Sequence, residues 1–224
     1  MIDQITNNLN NINNNIKQAK KDNQSVLLIA VTKSVNTDTI KQLYDLGLRD
    51  FGENRVQAFK EKYRQLPDDI NWHFIGNLQR NKVKDVIGKA LIHSGSSLAL
   101  LIEINKRARN VDIIQDVLLE VNIANETTKH GFDVEKMEEI MLEIEALALQ
   151  NIRIKGLMAM APFVSDLEQT RPYFKSLKKI FDQLSEKFSI FEPEFLSMGM
   201  TNDYEVAIEE GSNLIRIGTA IFKE

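Results

Sequence analysis

Apolar positions in the first twenty residues fall on one helical stripe. Ile2, Ile5, Leu9, Ile12, Ile16 and Ala19 recur at spacings of three or four, with most of the asparagines off the stripe. The pattern then changes period. Residues 26–31 form a continuous, β-branched apolar run, the mark of a strand buried on both faces. From there short apolar runs alternate with helix-periodic segments. Strands are expected at 26–31, 50–52, 72–75, 90–93, 116–122, 152–158, 194–197 and 214–217. Helices are expected at 36–46, 55–65, 79–87, 97–109, 134–149, 167–188 and 203–210. Gly47 and Gly211 stand where helices would stop, and Pro172 stands in the first turns of the longest one.

Eight strands, each followed by a helix or a turn, argue for a parallel sheet. Eight units in about 200 residues suit a single (β/α)8 TIM-type barrel, an α/β fold, better than an open doubly wound sheet. No GxGxxG follows the first strand. One domain is expected over residues 1–224, with residues 1–22 forming an extra N-terminal helix packed outside the barrel.

Composition narrows the chemistry. The chain has 224 residues, 43% hydrophobic and 27% charged, with 28 Lys and Arg against 32 Asp and Glu. A formal charge of −4 gives no basic footprint for nucleic acid. There is no cysteine, which removes disulfides, thiolate metal sites and thiol nucleophiles. His73, His93 and His130 lie far apart and make no HExxH or HxH pattern, so no metal site is expected. No apolar run approaches the roughly 20 residues of a membrane span, and no signal segment opens the chain, so a cytoplasmic protein is expected.

In such barrels the chemistry lies at the C-terminal ends of the strands. Lys33 closes the otherwise apolar first strand. A desolvated lysine there presents a free amine able to condense with an aldehyde; the plainer alternative is a rim lysine reaching solvent. Ser197, Met198 and Gly199 follow the seventh strand, and Gly218 and Thr219 follow the eighth. Barrels often bind phosphate at these two positions, with hydroxyls and backbone N–H groups as donors. The alternative is that these residues only shape turns and cap helices. Arg216 lies inside the last strand, where it needs a partner, either a core carboxylate or a ligand. His93 and His130 read as satisfied polar residues, and His73 as packing or rim.

Six ordered runs closely resemble one known family: residues 30–33 (AVTK), 51–57 (FGENRVQ), 72–82 (WHFIGNLQRNK), 156–158 (GLM), 196–200 (LSMGM) and 216–222 (RIGTAIF). The family is that of the pyridoxal phosphate homeostasis proteins (YggS/PROSC), whose barrel is like the N-terminal domain of alanine racemase. The resemblance implies that Lys33 carries pyridoxal 5′-phosphate as a covalent Schiff base (an internal aldimine). It implies that Ser197, Gly218 and Thr219 hold the phosphate, with Met198 and Gly199 shaping that loop. Arg216 would face the pyridine nitrogen, Asn54 would lie near the ring substituents, and His73 and Met160 would line the pocket. An arginine keeps a facing ring nitrogen unprotonated, which weakens the ring as an electron sink. The racemase's second domain, which supplies an opposing tyrosine, is absent from this chain. The resemblance therefore implies a monomer that binds and buffers the cofactor, with dependent apo-enzymes as recipients and no efficient catalysis. A weak racemase or transaminase is the alternative. The chain departs from the family at Gly95 and Ser96, where an aliphatic and an acidic residue are common.

Overall fold

The computed structural model describes residues 2–124 and 130–223. Its sheet is parallel throughout. The strands are β1 (Leu27–Val31), β2 (Asp50–Glu53), β3 (Asn71–Phe74), β4 (Leu91–Gly95), β5 (Gln115–Asn122), β6 (Phe132–Asp133), β7 (Ile152–Ala159), β8 (Phe191–Met200) and β9 (Leu214–Ile217). They lie in the order β4-β3-β2-β1-β9-β8-β7-β5, and β4 also pairs with β5, which closes an eight-stranded barrel. The two-residue β6 pairs with the end of β5 outside that closure. The α/β barrel expected from the alternation is therefore the fold.

The helices are α1 (Ile2–Ala19), α2 (Thr37–Asp45), α3 (Val56–Tyr63), α4 (Val83–Val86), α5 (Leu98–Asn110), α6 (Met137–Ala146), α7 (Arg171–Lys187), α8 (Tyr204–Glu209) and α9 (Thr219–Phe222). Local chemistry explains several boundaries. Asn36 caps α2, its side chain accepting from Thr39 N, and Gly47 ends that helix in the left-handed region at φ +97°. Ser97 caps α5. The stretches read as the starts of three helices, 80–82, 134–136 and 167–170, are 3-10 turns leading into α4, α6 and α7.

Most of the core lies between barrel and helices. Phe59 on α3 meets Trp72 edge-on at 5.6 Å and Phe74 at 6.3 Å. On α1, Ile5, Leu9, Ile12 and Ile16 are buried, each contributing about 1.5–3 kcal/mol of hydrophobic stabilisation. Two of the asparagines of α1 hold it in place. Asn8 is buried and its amide donates to the carbonyls of Ile221 and Lys223, while Asn15 donates to Tyr204 and Glu205. These bonds fasten α1 to the elements that follow β8 and β9.

Candidate functional site

Alternate residues of each strand point into the barrel, and register identifies which. Val31 pairs with Gly52, Gly52 with His73, Ile29 with Arg216, and Met158 with Ser197. Members of such pairs share a face. At the C-terminal mouth these inward residues and the following loops enclose a cavity of about 480 Å³. Lys33, Asn54, Ile75, Met160, Thr201, Asn202, Asp203, Arg216, Gly218 and Thr219 line it, over Val31. Met160, Phe163, Leu167 and Met200 form an exposed apolar rim. A second hollow of about 600 Å³, between α1 and residues 163–167, shares Thr201 and Asn202 but is lined by neither Lys33 nor Arg216.

The end of β1 is tied down from outside. Thr32 points away from the barrel axis and donates to Glu53 Oε1 at 2.9 Å. Lys62 on α3 donates to Thr32 O at 2.8 Å and to Glu53 Oε1 at 2.5 Å. Both charged groups are buried. The next residue, Lys33, is exposed at the mouth, and no hydrogen bond or ion pair engages its amine among the described residues. A primary amine thus stands beside the cavity on a fixed strand end.

Asn54 is placed by a glycine. A Cβ on Gly76 would lie 2.0 Å from Asn54 O, so only glycine lets the loops after β2 and β3 approach this closely. The Oδ1 of Asn54 is buried without a hydrogen-bond partner. A buried polar atom of this kind costs stability unless a ligand supplies the missing donor.

Arg216 is buried, and its guanidinium bonds only to barrel groups. Nη1 donates to Ser197 O at 2.9 Å and to Ser197 Oγ at 2.5 Å, and Nη2 donates to Ala159 O at 2.9 Å. Burial pushes its pKa down to about 10, with Asp203 and Glu120 opposing the shift. Burial likewise raises the carboxyls of Asp203 and Glu120, which Arg216 counteracts. Asp203 Oδ1 is already engaged, accepting from Met200 N at 2.6 Å.

The structure brings Lys33, Asn54, Met160, Arg216, Gly218 and Thr219 together around the cavity. Four other expected positions lie elsewhere. Strand β8 runs three residues beyond the expected end at 197, to Met200, so Ser197 is inside the barrel rather than at its tip. It is fully buried and bonded to Arg216 and His93. Met198 faces outward into the core. Gly199, at φ +94°, is required by packing, since a Cβ there would lie 2.7 Å from Ala207 Cβ. The hydroxyl at the true tip of β8 is Thr201, which the sequence reading missed; its Oγ1 accepts from Ala220 N at 3.3 Å, at the start of α9. His73 is the third residue of β3 and bonds to Asp50 at the start of β2, towards the opposite mouth; Ile75, two residues on, reaches the cavity instead. Gly95 is explained by β5: a Cβ there would lie 2.7 Å from Leu118 O. His93 and His130 are both bonded, as expected, the latter to Asn77.

Comparison with known proteins identifies the family. The family model for the alanine racemase N-terminal domain matches residues 7–224. The pyridoxal phosphate homeostasis protein of Aquifex aeolicus is 46% identical over 199 residues, 88% of this chain and 86% of that protein. An unknown protein from Bifidobacterium adolescentis superposes with a TM-score of 0.88 at 35% identity, covering 99% of this chain and 94% of the other. PipY of Synechococcus elongatus PCC7942, with PLP bound, superposes with a TM-score of 0.82 at 30% identity, covering 97% and 99%. The chain belongs to the alanine racemase N-terminal domain family and, within it, to the pyridoxal phosphate homeostasis proteins.

Proposed function

We propose that the protein binds pyridoxal 5′-phosphate in the C-terminal cavity, with the Lys33 amine taking the cofactor's aldehyde as a Schiff base. In this reading it holds and releases the cofactor in vitamin B6 homeostasis and has no efficient catalysis of its own. One observation carries the proposal. The exposed, unpaired amine of Lys33, the buried guanidinium of Arg216 and the side chain of Asn54 line one cavity, beside the hydroxyls of Thr201 and Thr219. The names of the relatives and the PLP bound by PipY support the same ligand.

Each group has a role that its chemistry suits. Thr201, Thr219 and the backbone at Gly218 supply donors for the phosphate. Asn54 faces the ring substituents. Arg216 offers only donors, and with a pKa of about 10 it keeps its proton at neutral pH. A ring nitrogen facing it is held unprotonated. Bound pyridoxal phosphate supplies an aldehyde for amines and an electron-accepting ring. Opposite Arg216 that ring is a weak acceptor, which favours storage over turnover. The apolar rim of Met160, Phe163 and Met200 limits water at the mouth.

The same reading takes residues 1–224 as one domain, a cytoplasmic monomer whose recipients are PLP-dependent apo-enzymes. Among the described residues no helix is long and apolar enough to cross a membrane. The test is an absorbance spectrum of protein saturated with pyridoxal 5′-phosphate, before and after borohydride. A band near about 420 nm is expected for a lysine Schiff base. Borohydride should fix it and Lys33→Ala should abolish it. Saturated wild-type protein without the band would overturn the covalent reading.

A further inference from the structure

Three polar groups inside the barrel, Asp50, His73 and His93, have no part in holding the cofactor as described above. They belong to one continuous chain of hydrogen bonds. Arg216 Nη1 bonds to Ser197 Oγ at 2.5 Å, Ser197 Oγ to His93 Nδ1 at 3.1 Å, His93 Nε2 to His73 Nδ1 at 3.0 Å, and His73 Nε2 to Asp50 Oδ1 at 3.1 Å. The members come from β9, β8, β4, β3 and β2. His73, His93, Ser197 and Arg216 are buried, and Asp50 opens onto a third cavity, of about 530 Å³, at the N-terminal mouth. The chain therefore crosses the barrel interior from the cofactor side to the opposite end.

The Asp50 end of the chain fixes its direction while both imidazoles are neutral. Arg216 can only donate, and an ionised Asp50 can only accept. Between them each neutral imidazole must accept at one nitrogen and donate at the other. The Ser197 hydroxyl then donates to His93 Nδ1, His93 Nε2–H donates to His73 Nδ1, and His73 Nε2–H donates to Asp50. The reverse order would point an unprotonated His73 Nε2 at a carboxylate. We propose that Asp50, His73, His93 and Ser197 form a one-directional hydrogen-bond relay that positions the guanidinium of Arg216 and couples it to the opposite mouth of the barrel. The relay stands on geometry alone; its consequence for the cofactor rests on the function proposed above.

The surroundings suit such a relay. Burial, with His73 and Arg216 adding to it, holds His93 well below the usual histidine range, so it stays neutral as the chain requires. His73 faces Asp50 and His93, and Lys89, Asp116 and Glu194 line the mouth below it. Arg216 faces Glu120 and Asp203. Asp50, His73, His93 and Ser197 act through Arg216 and are positioning residues.

Nitrogen NMR of ¹⁵N-histidine in the full chain without cofactor tests the relay directly. Near neutral pH His93 should be neutral with its proton on Nε2, and His73 should hold a proton on Nε2 towards Asp50. In Asp50→Asn the amide can donate to His73 Nε2, which frees the direction. His93, which residue 50 does not touch, should then lose its single tautomer and show both. A core role for these residues without a relay would leave His93 unmoved. Wild-type His93 protonated on Nδ1, a measurement that needs no variant, or an unchanged His93 in folded Asp50→Asn, would overturn the proposal. With pyridoxal 5′-phosphate added, the bound band should shift between wild type and Asp50→Asn. Altered tautomers with an unmoved band would overturn the positioning of Arg216. Absence of the band from both proteins would instead sink the cofactor reading, while the tautomers still decide the relay.

Discussion

Arg216 and Ser197 are bonded twice, the guanidinium donating from Nη1 to both the carbonyl and the hydroxyl of the serine. This pairing makes Ser197 part of the arginine's support and leaves Thr201 as the hydroxyl that the end of β8 offers to the cavity, beside Thr219. Two substitutions should separate these roles. Ser197→Ala removes a hydrogen bond to a buried charge and should cost about 1.5–3 kcal/mol in urea unfolding. Thr201→Val should leave the urea midpoint nearly unchanged but weaken binding of pyridoxal 5′-phosphate about tenfold or more, the equivalent of one lost charge-assisted bond. The opposite assignment of the two effects would restore Ser197 as the phosphate contact.

Lys62 and Glu53 are a buried ion pair that also grips the carbonyl of Thr32, next to Lys33. Removing one partner of such a pair leaves an uncompensated buried charge, at about 3–5 kcal/mol. Lys62→Met should therefore be strongly destabilising. The double variant Glu53→Gln/Lys62→Met should recover much of the loss, because no lone charge remains. Unfolding curves of the wild type, both single variants and the double variant measure the coupling.

His93 makes stability depend on pH. Its folded pKa lies well below the unfolded value, so between the two the unfolded chain binds a proton that the folded chain does not. Stability should fall on acidification below about pH 6.5, with this residue contributing up to about 1.4 kcal/mol per pH unit. Above that window the contribution is level. Urea midpoints of wild type and His93→Gln across the range should show the shallower slope in the variant.

Gly76 admits the backbone of Asn54, and the overlap with any Cβ is with backbone rather than a mobile side chain. Gly76→Ala should cost about 1–3 kcal/mol through forced backbone shifts. Because Asn54 must move, cofactor affinity should fall as well. Titration with pyridoxal 5′-phosphate alongside unfolding would show whether both change together, and an unchanged affinity would remove Asn54 from the site.

The alternation of short β-branched runs with helical periods determined the barrel, because burial on both faces leaves strands no polar positions to alternate. The sequence also determined the apolar stripe of α1, which depends only on neighbours in the chain. Lys33, Gly218 and Thr219 were legible because each lies at or just past a strand end. What only the tertiary structure decided is how far each strand runs and what its inward residues meet. Nothing in residues 194–200 marks where β8 stops, since Leu196, Met198 and Met200 continue the same alternation through Gly199. That length alone moved the hydroxyl at the cavity from Ser197 to Thr201. The partners of Arg216 and His73 come from strands 19 to 57 residues away and 20 to 23 residues away. Such pairings follow from register around a closed barrel, which no local pattern encodes.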